Sequence, residues 1–344
     1  SSNKISVSGK EEGLFYAVQT LSQLLPNKIS SEIKLPCVII EDQPRYSYRG
    51  LHLDVCRHFF SVAVIKDFIA QMSSYKLNTF HWHLTDDQGW RIEIKKYPKL
   101  TEIGAWRNGS MVGHYRDQTF DNKRYGGFYT QEEVKDIVSY AGARFINVVP
   151  EIEMPGHARA ALAAYPQYSC TGQAQGVEGL WGIFDDIFCA KEESILFLQD
   201  VLKEVLPLFP SAYIHVGGDE APKTRWKTCE KCQNNMRKYQ LKDEHELQSW
   251  FIRQMDEFLT RKGRKLIGWD EILEGGLSPN AAVMSWRGEE GGIAAANEQH
   301  EVVMTPGSHC YFDHYQGDSQ TEPLAFGGYT PLEKVYAYNP VPAG

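Results

Sequence analysis

The sequence reads as an α/β protein whose main body is a (β/α)8 TIM barrel, and three observations lead there. Short β-rich runs alternate with helical stretches from Arg49 onward, the rhythm of parallel strands joined by crossover helices. Most of those runs end in carboxylates, histidines or tryptophans, and in such a barrel the strand ends converge on the face where active sites are built. A length of 344 residues suits one large barrel with a small companion. A doubly wound sheet, the runner-up, would gather its site at a single switch point.

The elements follow in order. Leu14, Ala17, Val18, Leu21, Leu24 and Leu25 recur at helical spacing before Pro26 stops them, and Lys34 to Glu41 reads as a strand ending at Asp42-Gln43-Pro44. One helix and one strand make no independent core, so residues 1–44 are expected to be the remnant of a small α/β domain, with the barrel in 45–344. Its strands are expected at Leu51–Cys56, Asn78–Leu84, Phe145–Glu151, Tyr213–Gly217, Lys265–Trp269, Ala282–Trp286 and Val302–Pro306. Thr130-Gln131-Glu132-Glu133 is a capping box opening a helix that runs to about Ala143. A closed barrel needs eight strands, so the last is expected to be missing from this chain or miscounted.

Composition excludes several classes. With 42% hydrophobic and 23% charged residues the chain can bury a core unaided. A net charge of −8 and the lack of a long basic cluster argue against nucleic acid, and no apolar run is long enough for a membrane span. The start, Ser1-Ser2-Asn3-Lys4, lacks the pattern of a secretory signal. Seven cysteines are too few for a disulfide framework. Cys229-Glu-Lys-Cys232 has the spacing of half a zinc site, but no second C-x-x-C or H-x-x-x-H completes it, so a local disulfide or two free thiols is expected. Cys170 and Cys189 bracket a loop and are placed to pair in an oxidising compartment, whereas Cys37, Cys56 and Cys310 read as core.

The strongest chemical signal is His215-Val216-Gly217-Gly218-Asp219-Glu220. Glycines let backbone and ligand approach closely, and neighbouring carboxylates in a confined site cannot both ionise easily, so the pair can supply an acid and a charge stabiliser. A helix cap and a solvated glutamate is the plainer alternative. In His81–Arg91 alternation places His81 and His83 on one face, with Asp86 just beyond. These three invite a metal, although satisfied core histidines are the commoner outcome. Glu151-Ile152-Glu153-Met154-Pro155-Gly156-His157 aims His157 at the same rim. Trp269 and Trp286 do likewise, and indole faces at a wet strand end suit sugar rings; Trp82, Trp106, Trp181 and Trp226 are assigned to the core. Acids, an arginine and aromatic walls on one rim point to glycoside hydrolysis, or to carbohydrate binding without turnover.

These residues resemble the catalytic region of the family 20 glycoside hydrolases, the β-N-acetylhexosaminidases, in a bacterial form. The likeness rests on Arg49-Gly50 with Asp54–Phe59, the His81–Arg91 block, Pro150–His157, His215–Glu220, Gly268-Trp269-Asp270-Glu271 and Tyr311-Phe312-Asp313, in family order. The resemblance implies an exo-acting, retaining reaction in which the substrate's own 2-acetamido group attacks the anomeric carbon. It implies Glu220 as general acid and later base, Asp219 as the residue orienting the acetamido N–H, and Tyr311 as donor to the acetamido oxygen. Arg57 and Asp313 would hold sugar hydroxyls, Asp86 and His157 would stand behind Glu220, and Trp269 and Trp286 would wall the acetamide pocket. No cofactor or metal is implied, and the partners would be glycans ending in N-acetylglucosamine or N-acetylgalactosamine. Family members carry a W-x-E pattern on the eighth strand and a fuller non-catalytic N-terminal domain. Nothing after Val335 supplies the former, so the chain is expected to be either part of a longer protein or an inactive, merely sugar-binding form. Such substrates imply a secreted or periplasmic protein.

Overall fold

Seven strands form one parallel sheet in chain order: β1 (Gly50–Asp54), β2 (Thr79–His83), β3 (Asn147–Glu151), β4 (Tyr213–His215), β5 (Lys265–Trp269), β6 (Ala282–Ser285) and β7 (Val302–Met304). Each lies within one of the expected runs or one residue outside it. The computed structural model describes residues 4–26 and 33–342, so the reading of Ser1-Ser2-Asn3 falls outside it. Among the described residues β1 and β7 are the edges of this curled sheet, which is the seven-stranded part of a TIM barrel.

Alternation divides the sheet into two faces. Phe80, Trp82, Val148, Ile214, Leu266 and Val283 point outward and are fully buried against the helices. The helical partners come from α2 (Val62–Ser74), α3 (Gln131–Gly142), α4 (Glu192–Val205) and α6 (Glu244–Arg261), which contribute Ile65, Ile69, Ile137, Leu198, Val201, Phe251 and Leu259 to the same cluster. Each such side chain contributes about 1.5–3 kcal/mol by leaving water. The inner face carries a smaller apolar group, Val149, Ile267, Trp269, Ala282 and Met284, and above it a polar one. Register makes that polar layer: Asp54 lies opposite His83, His83 opposite Glu151, and Glu151 opposite His215.

Caps set the helix starts. The Thr130–Glu133 capping box is formed at the head of α3, and Ser61 Oγ accepts from the Val64 amide at the head of α2. The N-terminal helix α1 (Glu11–Leu24) has no fully buried residue.

Four expectations are corrected. Lys34–Glu41 is not a strand: its backbone has no neighbouring strand among the described residues, and Ile39 is 93% exposed. Cys37 is exposed and Cys310 half-buried rather than core, the first because it sits on that unpaired segment. Trp181 is 39% exposed, on a loop over the strand ends, and Trp106 is only partly buried, under the Arg124 guanidinium. Finally, the Cys229–Cys232 half-site does have partners, because the loop bracketed by Cys170 and Cys189 brings both of those thiols to it.

Candidate active site

The turn after β4 exists because of its glycines. Gly217 has φ +67°, and a Cβ there would fall 1.7 Å from Glu153 Oε2, so only glycine fits. The turn delivers Asp219, then Glu220 at φ +44°, a left-handed conformation uncommon for a residue with a side chain. Both carboxylates reach the rim, the Asp219 side chain 15% and the Glu220 side chain 31% exposed.

His157 joins them to the next layer. Its Nε2 lies 3.4 Å from Glu220 Oε2 and 3.6 Å from Asp219 Oδ2, while Nδ1 lies 3.2 Å from Asp86 Oδ1 and 3.0 Å from Asp87 Oδ2. Burial works against its charge, but Asp86 and Asp219 hold it well above the usual histidine range, so it stands as an imidazolium among four carboxylates. Asp86 in turn takes Arg57 Nη2 at 3.0 Å and His83 Nε2 at 2.6 Å. Despite burial, Arg57 and His157 keep its carboxyl well below the ordinary range. Arg57 is a braced fork: Nη1 donates to Asp54 at 2.9 Å and Nε to Gln88 at 2.8 Å, with the Trp181 ring 5.6 Å from its Cζ.

Behind this layer, Glu151 is wholly buried at the centre of the barrel interior. His83 Nδ1 lies 2.6 Å from it, His81 Nε2 and His215 Nδ1 each 2.9 Å, and Trp269 Nε1 donates to it at 2.8 Å. His83, caught between Glu151 and Asp86, is held up to about 10 by those carboxylates against the pull of burial. His81, which burial pushes down to about 3, is neutral. His52, His81 and Glu151 present donor atoms close enough together for a cation, yet the histidines and Trp269 already answer both oxygens of Glu151. Glu153 is the opposite case. Both its oxygens are buried without a hydrogen-bond partner, and burial together with Asp219 and Glu151 pushes it well above the carboxylate range, so it keeps its proton.

The other side of the rim is built from β5, β6 and the segment after β7. Trp286 Nε1 donates to Glu271 Oε2 at 2.9 Å, and the Tyr311 ring stacks on Trp286 with centroids 6.1 Å apart. Burial, then Asp219, push Glu271 up to about 8. Burial, then the negative charge of Asp219 and its neighbours, raises the Tyr311 phenol. Asp313 is exposed and only its backbone carbonyl is engaged, by the Phe326 amide.

Of the residues the sequence singles out, Arg57, Asp86, His157, Asp219 and Glu220 form one continuous polar chain, while Tyr311 and Trp286 stack on one another beside Glu271 and Asp313 is exposed two residues beyond Tyr311. Trp269 sits beneath, bonded to Glu151. Sequence reading quoted Asp54, Asp87, Gln88, Glu153 and Glu271 within its blocks but gave them no role, and it assigned Trp181 to the core. Asp54 stands three residues before Arg57 and Glu271 next to Asp270, which are faint signals of a role; nothing local sets Gln88 apart within its block, and Trp181 carries no signal.

The catalytic-domain model of glycosyl hydrolase family 20 matches residues 46–344, and the domain 2 model of that family matches residues 1–43. The chain belongs to glycosyl hydrolase family 20. A β-hexosaminidase of Porphyromonas gingivalis is 57% identical over 98% of this chain and 43% of its own length, and one of Vibrio furnissii 39% identical over 96% and 54%. The chain thus spans about half the length of the curated relatives it matches. Among solved structures, a family 20 exo-β-N-acetylglucosaminidase of Vibrio harveyi in complex with N-acetylglucosamine superposes with a TM-score of 0.86, at 38% identity, over 98% of this chain and 54% of that one. A β-N-acetylhexosaminidase of Bacteroides fragilis gives 0.81 at 40% identity, over 95% and 64%.

Proposed function

We propose that this family 20 chain carries the active site of an exo-acting retaining glycosidase that releases terminal β-linked N-acetylglucosamine or N-acetylgalactosamine. Glu220 protonates the glycosidic oxygen as the acetamido oxygen of the same sugar bonds to C1, so the aglycone leaves as an alcohol and an oxazolinium ion forms. Asp219 orients the acetamido N–H and balances the positive charge, and Tyr311 donates to the acetamido oxygen. Water then attacks C1 from the vacated side, giving up a proton to Glu220, as the C1–O bond of the oxazolinium breaks and the acetamide is restored, and retention results. Arg57 and Asp313 hold ring hydroxyls, and Trp269 and Trp286 enclose the acetamide. Glycans ending in these amino sugars are the partners, and a secreted or periplasmic location goes with them.

The observation that carries the reading is the position of His157, charged and within 3.6 Å of both Asp219 and Glu220. An adjacent pair tied to one imidazolium can divide its labour between stabilising a cation and transferring a proton. The test uses a chromogenic β-N-acetylglucosaminide. Glu220→Gln is expected to lower kcat by about 10²–10⁴, less with an activated phenol than with a sugar leaving group, whereas Asp219→Asn lowers it for both. Wild-type turnover in both variants overturns the assignment. Equal activity on glucosides lacking the acetamide would favour an ordinary two-carboxylate mechanism instead.

A further inference from the structure

The loop 170–188 is closed at its base. Ser169 and Phe188 form an antiparallel bridge, and the Cys189 amide donates to the Tyr168 carbonyl at 2.8 Å, which sets Cys170 beside Cys189. Facing them is helix α5 (Glu230–Tyr239), with Cys229 as its N-cap residue and Cys232 in its first turn. The four Sγ atoms all lie within 4.8 Å of one another. Cys189 is 3.6 Å from Cys232 and 3.7 Å from Cys229, and Cys170 is 3.7 Å from Cys232. Three of the four residues are buried and the fourth half-buried.

We propose that Cys170, Cys189, Cys229 and Cys232 bind one zinc ion, or a similarly soft divalent cation, as a closed tetrathiolate structural site. Four sulfurs at about 2.3 Å from a tetrahedral zinc stand about 3.8 Å apart, close to the separations found here. Disulfides would need about 2.05 Å and a choice of pairing, and this arrangement makes none: Cys189 is equally near two thiols, and so is Cys232. Binding releases four thiol protons to solvent and leaves a complex of net charge −2. The free amides at the N-terminus of α5 and the nearby Lys191 are placed to answer that charge.

The site staples a loop that reaches the active site. Beyond its closed base, the Glu178 amide donates to the Asp87 carbonyl, Glu178 pairs with Arg159 at 2.6 Å, Leu180 O accepts from Gln88, and Trp181 covers Arg57. Its role is positional: metal at the base steadies the wall against which Arg57 is held. This holds whether or not the proposed hydrolysis is correct, because metal content is read independently of turnover.

Protein purified without added metal or chelator is expected to contain about one zinc per chain by plasma mass spectrometry. Denatured in EDTA without reductant, it should release that zinc and titrate all seven cysteines as thiols. Exchange into cobalt should give thiolate-to-cobalt charge transfer in the near ultraviolet and the intense visible bands of a tetrahedral site. Cys189→Ser and Cys232→Ser should lose the metal, Cys37→Ser should keep it, and the metal-free variants should show a larger rise in KM than fall in kcat. Substoichiometric metal in the wild-type protein overturns the proposal, whether three thiols titrate, as two disulfides would leave, or seven. The wild-type measurements stand even where a cysteine variant fails to fold.

Discussion

The two sides of the strand-end face answer their charges differently. On the β1–β4 side, Arg57, His83 and His157 each contact at least two carboxylates, and Asp86 contacts all three cations. Across the rim a single cation, Arg287, contacts Asp270, Glu271 and Glu274, while the Tyr311 hydroxyl and the Asp313 carboxylate have no hydrogen-bond partner among the described residues and Trp286 has one. On the first side Arg57, His83, His157 and Asp86 are fixed against one another before any sugar arrives. The second leaves its donor and acceptor to be satisfied by a ligand. Substitutions on the first side should therefore cost stability as well as turnover, and those on the second turnover alone.

The sharpest break is at Glu151. Replacing it with Gln keeps the volume but leaves His83 charged and buried with one carboxylate fewer, and removing one partner of a buried charge set costs about 3–5 kcal/mol. Chemical denaturation of Glu151→Gln should show that loss. A midpoint within error of wild type would mean that His83 releases its proton instead, and that the interior is far less coupled than its distances imply.

Tyr311→Phe sets the opposite expectation. Loss of one donor to a developing charge lowers kcat about 10²–10³, while the thermal midpoint stays where it was because that hydroxyl bonds nothing among the described residues. A large drop in melting temperature would erase the distinction between the two sides.

The same contrast explains what was legible in the sequence. The outward face of the sheet could be read because burial against helices forces apolar residues into runs such as Val148 and Ile214, with turn residues between them. Most carboxylates of the rim could be read because they end those runs. What escaped depended on contacts remote in sequence. Gln88 matters only because Leu180 folds over it, and Trp181 only because its loop returns to Arg57. Cys170 completes a cluster with Cys232, 62 positions away, and no local spacing announces that. Lys34–Glu41 misled for the converse reason: its apolar, β-branched run Val38-Ile39-Ile40 suits a strand, but a strand needs a neighbour.

The mildest test concerns Glu271, on the side that awaits a ligand. Its folded-state pKa is raised from 4.5 to about 8 by burial and by Asp219. Between those values the native protein holds a proton that the unfolded chain has released, so stability falls as pH rises through this window and is lowest above it. Glu271→Gln carries no titrating proton and should remove that part of the slope while keeping an acceptor for Trp286 Nε1. Urea midpoints of both proteins across pH 5 to 9 give the comparison. If the variant's slope equals the wild type's, Glu271 is ionised throughout, the Trp286 side is as well supplied with countercharge as the β1–β4 side, and the asymmetry between them disappears.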